Sequence, residues 1–227
     1  MQSGNDNSPY TAGRSAEREY NRRRAARRQR ARARYGTLGA LFATFTADPA
    51  TTQAWRQGAG GELATARQLA RYLDRSNVIL IHDRQIPGCG RANIDHLAIG
   101  PGGITVIDTK STHGHVQLAT SGIIHHREIL LVNGRDRTHQ LDALERQITT
   151  VVARLARHGL DSVDVRGALC FPNMHRRLLH FNRARDGLII VDDPRHVAKL
   201  ANRTGITTTR EIECLADGLA TALPPAM

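Results

Sequence analysis

The hydrophobic pattern is a series of short apolar runs separated by turn residues. Residues 78–86 (VILIHDRQI), 93–99 (NIDHLAI) and 104–110 (ITVIDTK) have strand length and strand composition. The segments between the first three, PGCG at 87–90 and GPGG at 100–103, are turns. Two more short strands are predicted at about 114–119 and 123–132, meeting near Ser121 and Gly122. A helical period precedes this block over about 62–74, where Leu63, Ala66, Ala70 and Leu73 recur. A longer amphipathic helix is predicted over about 139–157, with Leu141, Leu144, Ile148, Val151, Val152 and Leu155 on its buried face. Strands at 163–171 and 188–191 follow, then helices at 194–202 and 208–223. Thr208 and Glu211 have the spacing of a capping box for the last helix. Helix, antiparallel strands, helix, strand is the order of an α/β domain with a mixed central sheet flanked by helices.

Ahead of that block the chain changes character. Residues 1–13 are polar, residues 14–35 are rich in Arg and Ala without an apolar stripe, and residues 36–57 form a connector. The expected organisation is a basic arm at 1–35, the connector, a core at 58–172 and a C-terminal α/β extension at 173–227 that completes it. A length of 227 residues suits one domain with an extension. Hydrophobic residues at 40% are enough for a core.

Charge sharpens the division. The formal net charge is +11, and ten arginines lie in the first 35 residues against Asp6, Glu17 and Glu19. A polycationic head reports on partners rather than on fold. Arg22, Arg23, Arg24, Arg27, Arg28 and Arg30 are therefore expected to bind nucleic acid. An anionic membrane surface is the competing partner, with residues 38–45 (LGALFATF) dipping into it. Aromatics are only 4%, which argues against modules that stack bases on rings. Three widely spaced cysteines, Cys89, Cys170 and Cys214, fit neither a disulfide framework nor a zinc site. A reducing, cytoplasmic setting follows. No apolar run approaches the ~18–20 residues that span a bilayer. Residues 38–45 superficially resemble a signal-peptide core, but Gly39 and Thr44 break the run and the charged stretch before it is too long.

The chemistry sits on two strands. Asp95 lies mid-strand, and Asp108 ends an apolar run, so both are carboxylates where apolar residues are expected. Alternation puts Asp108 and Lys110 on one strand face, and the tight turn makes Asp95 and Asp108 neighbours. Adjacent carboxylates repel unless a cation lies between them, and a hard divalent ion takes oxygen ligands. Lys110 is one of only two lysines against 30 arginines. Its compact, tunable ammonium suits water activation or leaving-group stabilisation. Glu62 is expected to face the sheet from a helix N-terminus. Alone, Asp108 with Lys110 is an ordinary ion pair; with Asp95 and Glu62 the set points to a metal site. His96, His113, His115, His125 and His126 lack zinc spacing and are expected to be exposed strand or loop residues. Cys89 has no base arranged to make it a nucleophile.

Asp95 followed by Asp108-x-Lys110, with a Glu on a preceding helix, resembles the PD-(D/E)XK nuclease superfamily. The words around these residues (GAGGE at 58–62, IDHL at 94–97, GPGG at 100–103, VIDTK at 106–110, then Gly114 and Gln140) resemble the nuclease-related domain, NERD. The likeness covers about 58–172, and the basic head, LGALF and Trp55 resemble members of actinobacterial type. It implies a restriction-endonuclease-like core and phosphodiester hydrolysis dependent on Mg²⁺ or Mn²⁺. Asp95, Asp108 and the Thr109 backbone carbonyl would ligate the metal. Lys110 would position or activate water, Glu62 would support a second metal or the water, and Gln140 would orient a site group or phosphate. DNA is favoured over RNA as substrate. The alternatives are a non-catalytic nucleic-acid-binding module of the same fold, or an adaptor at a membrane or protein surface.

Overall fold

The structure is a computed structural model. It describes residues 21–22, 25–26, 29, 50–87, 92–121, 127–157, 159–160, 162–175, 183–205 and 207–226. Arg22 belongs to this set, helical and exposed. Arg23, Arg24, Arg27, Arg28 and Arg30, residues 38–45, Cys89, His125 and His126 lie outside it.

Helix α1 (Ala50–Tyr72) leads into β1 (Ile79–Gln85), β2 (Asn93–Gly100) and β3 (Gly103–Thr109). Then come β4 (Gly114–Ser121), β5 (Arg127–Val132), β6 (Arg135–Asp136), α2 (His139–Ala156) and β7 (Val165–Cys170). The chain ends with β8 (Met174–His175), β9 (Arg183–Ala184), β10 (Ile189–Asp192), α3 (Pro194–Ala201) and α4 (Thr209–Ala222). Six strands form the central sheet in the order β1-β2-β3-β7-β10-β9. Strands β1, β2 and β3 pair antiparallel, whereas β3, β7 and β10 run parallel. The sheet is therefore mixed, as the pattern predicts. A second sheet, β6-β5-β4-β8, extends beyond the end of β3.

Both faces of the central sheet are covered. Ile81, Leu97, Ile99, Ile104 and Val106 pack with Leu141, Leu144, Ile148 and Val151 of α2 and with Ile212, Leu215 and Leu219 of α4. On the other side Ile107, Ala168 and Cys170 meet Leu69 and Leu73 of α1 and Val197 and Ala198 of α3. Burial on two faces explains why β3 is enclosed along its whole length. The capping box at Thr208 and Glu211 is present. Among the described residues no helix is long and apolar enough to cross a membrane.

Two expectations are corrected. The first helix does not begin after GAGG; it starts at Ala50 and runs through Gly58, Gly60 and Gly61. Each helical glycine costs roughly 0.5–1 kcal/mol, but tertiary packing overrides that preference. At Gly61 the reason is visible: a Cβ there would come within 2.7 Å of Ser111 Cβ, so α1 lies against the chain just past Lys110. Val152 is 44% exposed rather than core. The stripe Leu141, Leu144, Ile148, Val151 and Leu155 fills the buried face of α2, and Val152, about 20° beyond Leu141 around the helix, lies at its margin.

Candidate functional site

The site lies where β2 and β3 stop pairing. Their ladder ends at His96 opposite Ile107, and the same register places Asp95 opposite Asp108. Beyond the last pair the Thr109 amide donates to Asp95 Oδ2 at 2.8 Å, so a carboxylate takes the place of a ladder carbonyl. Lys110 follows on β3's end, its own amide donating to Cys170 O at 2.8 Å. Lys110 Nζ lies 2.8 Å from Asp108 Oδ1 and 2.7 Å from Oδ2. Asp108 is buried and Lys110 partly so.

Helix α1 delivers Glu62. It sits in the middle of the helix, not at its N-terminus as the sequence reading expected, so a helix-end dipole does not account for it. Its Oε2 is enclosed and without a hydrogen-bond partner. Burial pushes the Glu62 carboxyl up to about 8, with further upward pressure from Asp83 and Asp108, against a downward pull from Lys110. Burial also drives Asp95 well above the ordinary carboxyl range; Glu62 and Asp108 add to this, while Lys110 and the Thr109 amide oppose it. Burial works against the Lys110 ammonium, but Asp108, Asp95 and Glu62 outweigh it and hold the group above its ordinary value. Glu62, Asp95, Asp108 and Lys110 thus share one electrostatic neighbourhood. Gln140 is in the first turn of α2, partly buried, with Oε1 enclosed and unpaired. None of the described contacts joins it to the four.

Sequence reasoning missed Asp83. It is buried on β1, in register opposite Asp95, where the β1–β2 pairing skips one residue. Its φ of +51° lies in the left-handed region, and Asn93 Nδ2 donates to its Oδ1 at 3.1 Å. The sign was a polar His-Asp-Arg triplet inside an apolar strand. His96 is corrected: it is fully buried, not an exposed strand residue, and burial together with His82 drives its pKa well below the ordinary value. His113 and His115 are exposed, as expected. Burial pushes the Cys170 thiol far up, away from thiolate chemistry.

A second acidic group also escaped the reading. Asp192, Asp193 and His196 place their ligand atoms within 4.8 Å of one another at the junction of β10 and α3. Asp193 caps α3, accepting from the His196 amide at 3.0 Å, and the Asp193 amide donates to Asp192 Oδ1 at 2.7 Å. Asp192 pairs with Cys170, and Cys170 with Thr109, so this group lies two strands along the sheet edge from the Asp108 site. Asp95, Asp108 and Glu62 are not drawn that tightly together; among the described residues they form no such three-ligand group.

No curated protein and no solved structure matches the chain. Residues 57–172, just over half of it, match the family model of the nuclease-related domain. The match begins just ahead of Glu62 and takes in Asp95, Asp108, Lys110 and Gln140. A hint of divalent-metal chemistry comes from this family and from the acidic sheet edge together. The chain belongs to the nuclease-related domain (NERD) family.

Proposed function

We propose that the protein is a divalent-metal-dependent nuclease that hydrolyses phosphodiester bonds, with DNA as its substrate and Mg²⁺ or Mn²⁺ as its ion. The observation that carries this reading is the gathering of Glu62, Asp95 and Asp108 around one ammonium, Lys110, at the end of β3. Glu62 and Asp95 are both held above their ordinary range, and Glu62 Oε2 is buried without a partner. A hard divalent ion supplies the opposite charge and oxygen affinity that such a set calls for. Asp95, Asp108 and the Thr109 carbonyl would hold the ion, with Glu62 holding a second ion or the water. A bound ion lowers the pKa of its water and stabilises charge developing on the phosphate.

The chain's own groups do the rest. Lys110, anchored on Asp108, directs an ammonium toward a water or a non-bridging phosphate oxygen beside the scissile bond. Gln140 contributes an amide to orient a site group or phosphate. Arg22, Arg23, Arg24, Arg27, Arg28 and Arg30 attract the nucleic-acid backbone without reading sequence.

One observation favours a second reading. Lys110 already closes on both oxygens of Asp108, and that pair would stabilise the acids in a fold kept only for binding nucleic acid. The experiment that separates the readings is cleavage of mixed DNA substrates in EDTA, Mg²⁺ or Mn²⁺, by the native chain and by Asp108→Asn. Metal-dependent cleavage lost in the variant supports the nuclease. Cleavage unchanged in the variant overturns the site. Salt-sensitive DNA binding with neither cleavage nor Mn²⁺ binding supports the binding module.

A further inference from the structure

A buried chain of hydrogen bonds runs from β1 to the end of β3, and no role proposed above uses it. His82 and His96 form a cross-strand pair, Nδ1 to Nδ1 at 2.9 Å, with the rings edge to face and their centroids 5.0 Å apart. His96 Nε2 is 3.2 Å from Thr109 Oγ1, and the Thr109 amide donates to Asp95 Oδ2. His82, His96 and Thr109 are all buried. A nitrogen–nitrogen contact needs one N–H and one lone pair, and a hydroxyl both gives and accepts. Whichever ring donates, the chain of bonds closes through Thr109. Thr109 is thereby held at its hydroxyl by His96 and at its amide by Asp95, while the next amide, of Lys110, is tied to Cys170 O.

We propose that His96, backed by His82, is a positioning residue for the metal site: it fixes Thr109, whose amide orients Asp95 and whose carbonyl is the backbone ligand. This rests on reading Asp95, Asp108 and Thr109 as that site. Groups that orient metal ligands through hydrogen bonds are worth roughly 10–100-fold in affinity.

The test is Mn²⁺ titration of the full chain by calorimetry, with metal-free thermal melts alongside. Thr109→Val keeps the side-chain shape and removes the hydroxyl. Its Mn²⁺ affinity is expected to fall about tenfold or more, and Thr109→Ser to restore it. His82→Phe keeps a ring and removes the nitrogen behind His96; it weakens Mn²⁺ binding in the same direction and provides the result if Thr109→Val does not fold. Native affinity in Thr109→Val or His82→Phe, or failure of Thr109→Ser to rescue, overturns the positioning role. Asp108→Asn tells the two readings apart. If it binds Mn²⁺ like the native chain, the metal-site reading itself fails; if it loses binding while the Thr109 and His82 variants keep theirs, only the positioning role fails.

Discussion

Lys110 grips both oxygens of Asp108, at 2.8 Å and 2.7 Å, from two residues further along, just past the end of β3. Alternation makes such an i, i+2 pair share a face. The pairing gives the buried Asp108 carboxylate a partner, and it keeps an ammonium at the point where β2 and β3 separate.

Cutting either half of this pair should have different effects. Asp108→Asn is expected to abolish metal-dependent cleavage while DNA binding is retained or strengthened, because a negative charge near the phosphate is removed. Lys110→Ala is expected to lower kcat by about 10²-fold or more with a smaller change in KM, the size typical of a positioned proton-handling or charge-stabilising group. Steady-state cleavage and filter binding measure the two.

Glu62 makes metal-free stability depend on pH. Its carboxyl is raised from 4.5 to about 8 in the fold. Between those limits the folded protein keeps a proton that the unfolded chain has released. Stability therefore falls as pH rises across that window and levels off above it, each unit costing up to about 1.4 kcal/mol. Glu62→Gln should shallow the dependence, leaving the part that the raised Asp95 carboxyl contributes. Added Mg²⁺ should raise the melting temperature more at pH 8 than at pH 5, because ion and proton compete for the same carboxylate. Thermal melts across pH, with and without Mg²⁺, check both.

Asp83 is, after burial, the leading upward influence on Glu62. Asp83→Asn removes that charge and keeps a side chain that tolerates the left-handed φ of +51°. The alkaline end of the Glu62 stability window is expected to move to lower pH. The same pH-resolved melts detect it, and an unmoved window would separate Asp83 from Glu62.

The arginine-rich head should show itself in salt. Deleting residues 1–35 is expected to weaken DNA binding and to flatten the slope of log affinity against log salt, since each lost phosphate contact removes about one unit or slightly less. An anionic vesicle of phosphatidylserine, run in parallel, tests the competing lipid partner.

Much of the core was legible in the sequence. The strands around Asp95, Asp108 and Lys110 are short, apolar and bounded by turns, and strand alternation is local, so their neighbourhood follows from spacing alone. The buried stripe of α2 and the capping box at Thr208 follow from helical period and local hydrogen bonding in the same way. The start of α1 did not follow, because the cost of its glycines is local but the packing of Gly61 on Ser111 joins segments 50 residues apart in the chain.

Sequence by itself determined which chemical groups the sheet edge would carry: a compact cation and acids on adjoining strands. Tertiary structure decided what those groups experience. His96 is enclosed because His82, fourteen residues earlier, lies across from it on another strand. Asp83 enters the acidic set because the β1–β2 ladder skips it. Glu62 holds its proton to about pH 8 because a helix, two strands and their charges close around it. Burial and long-range charge are sums over neighbours that only folding brings together, whereas periodicity is a property of adjacent residues.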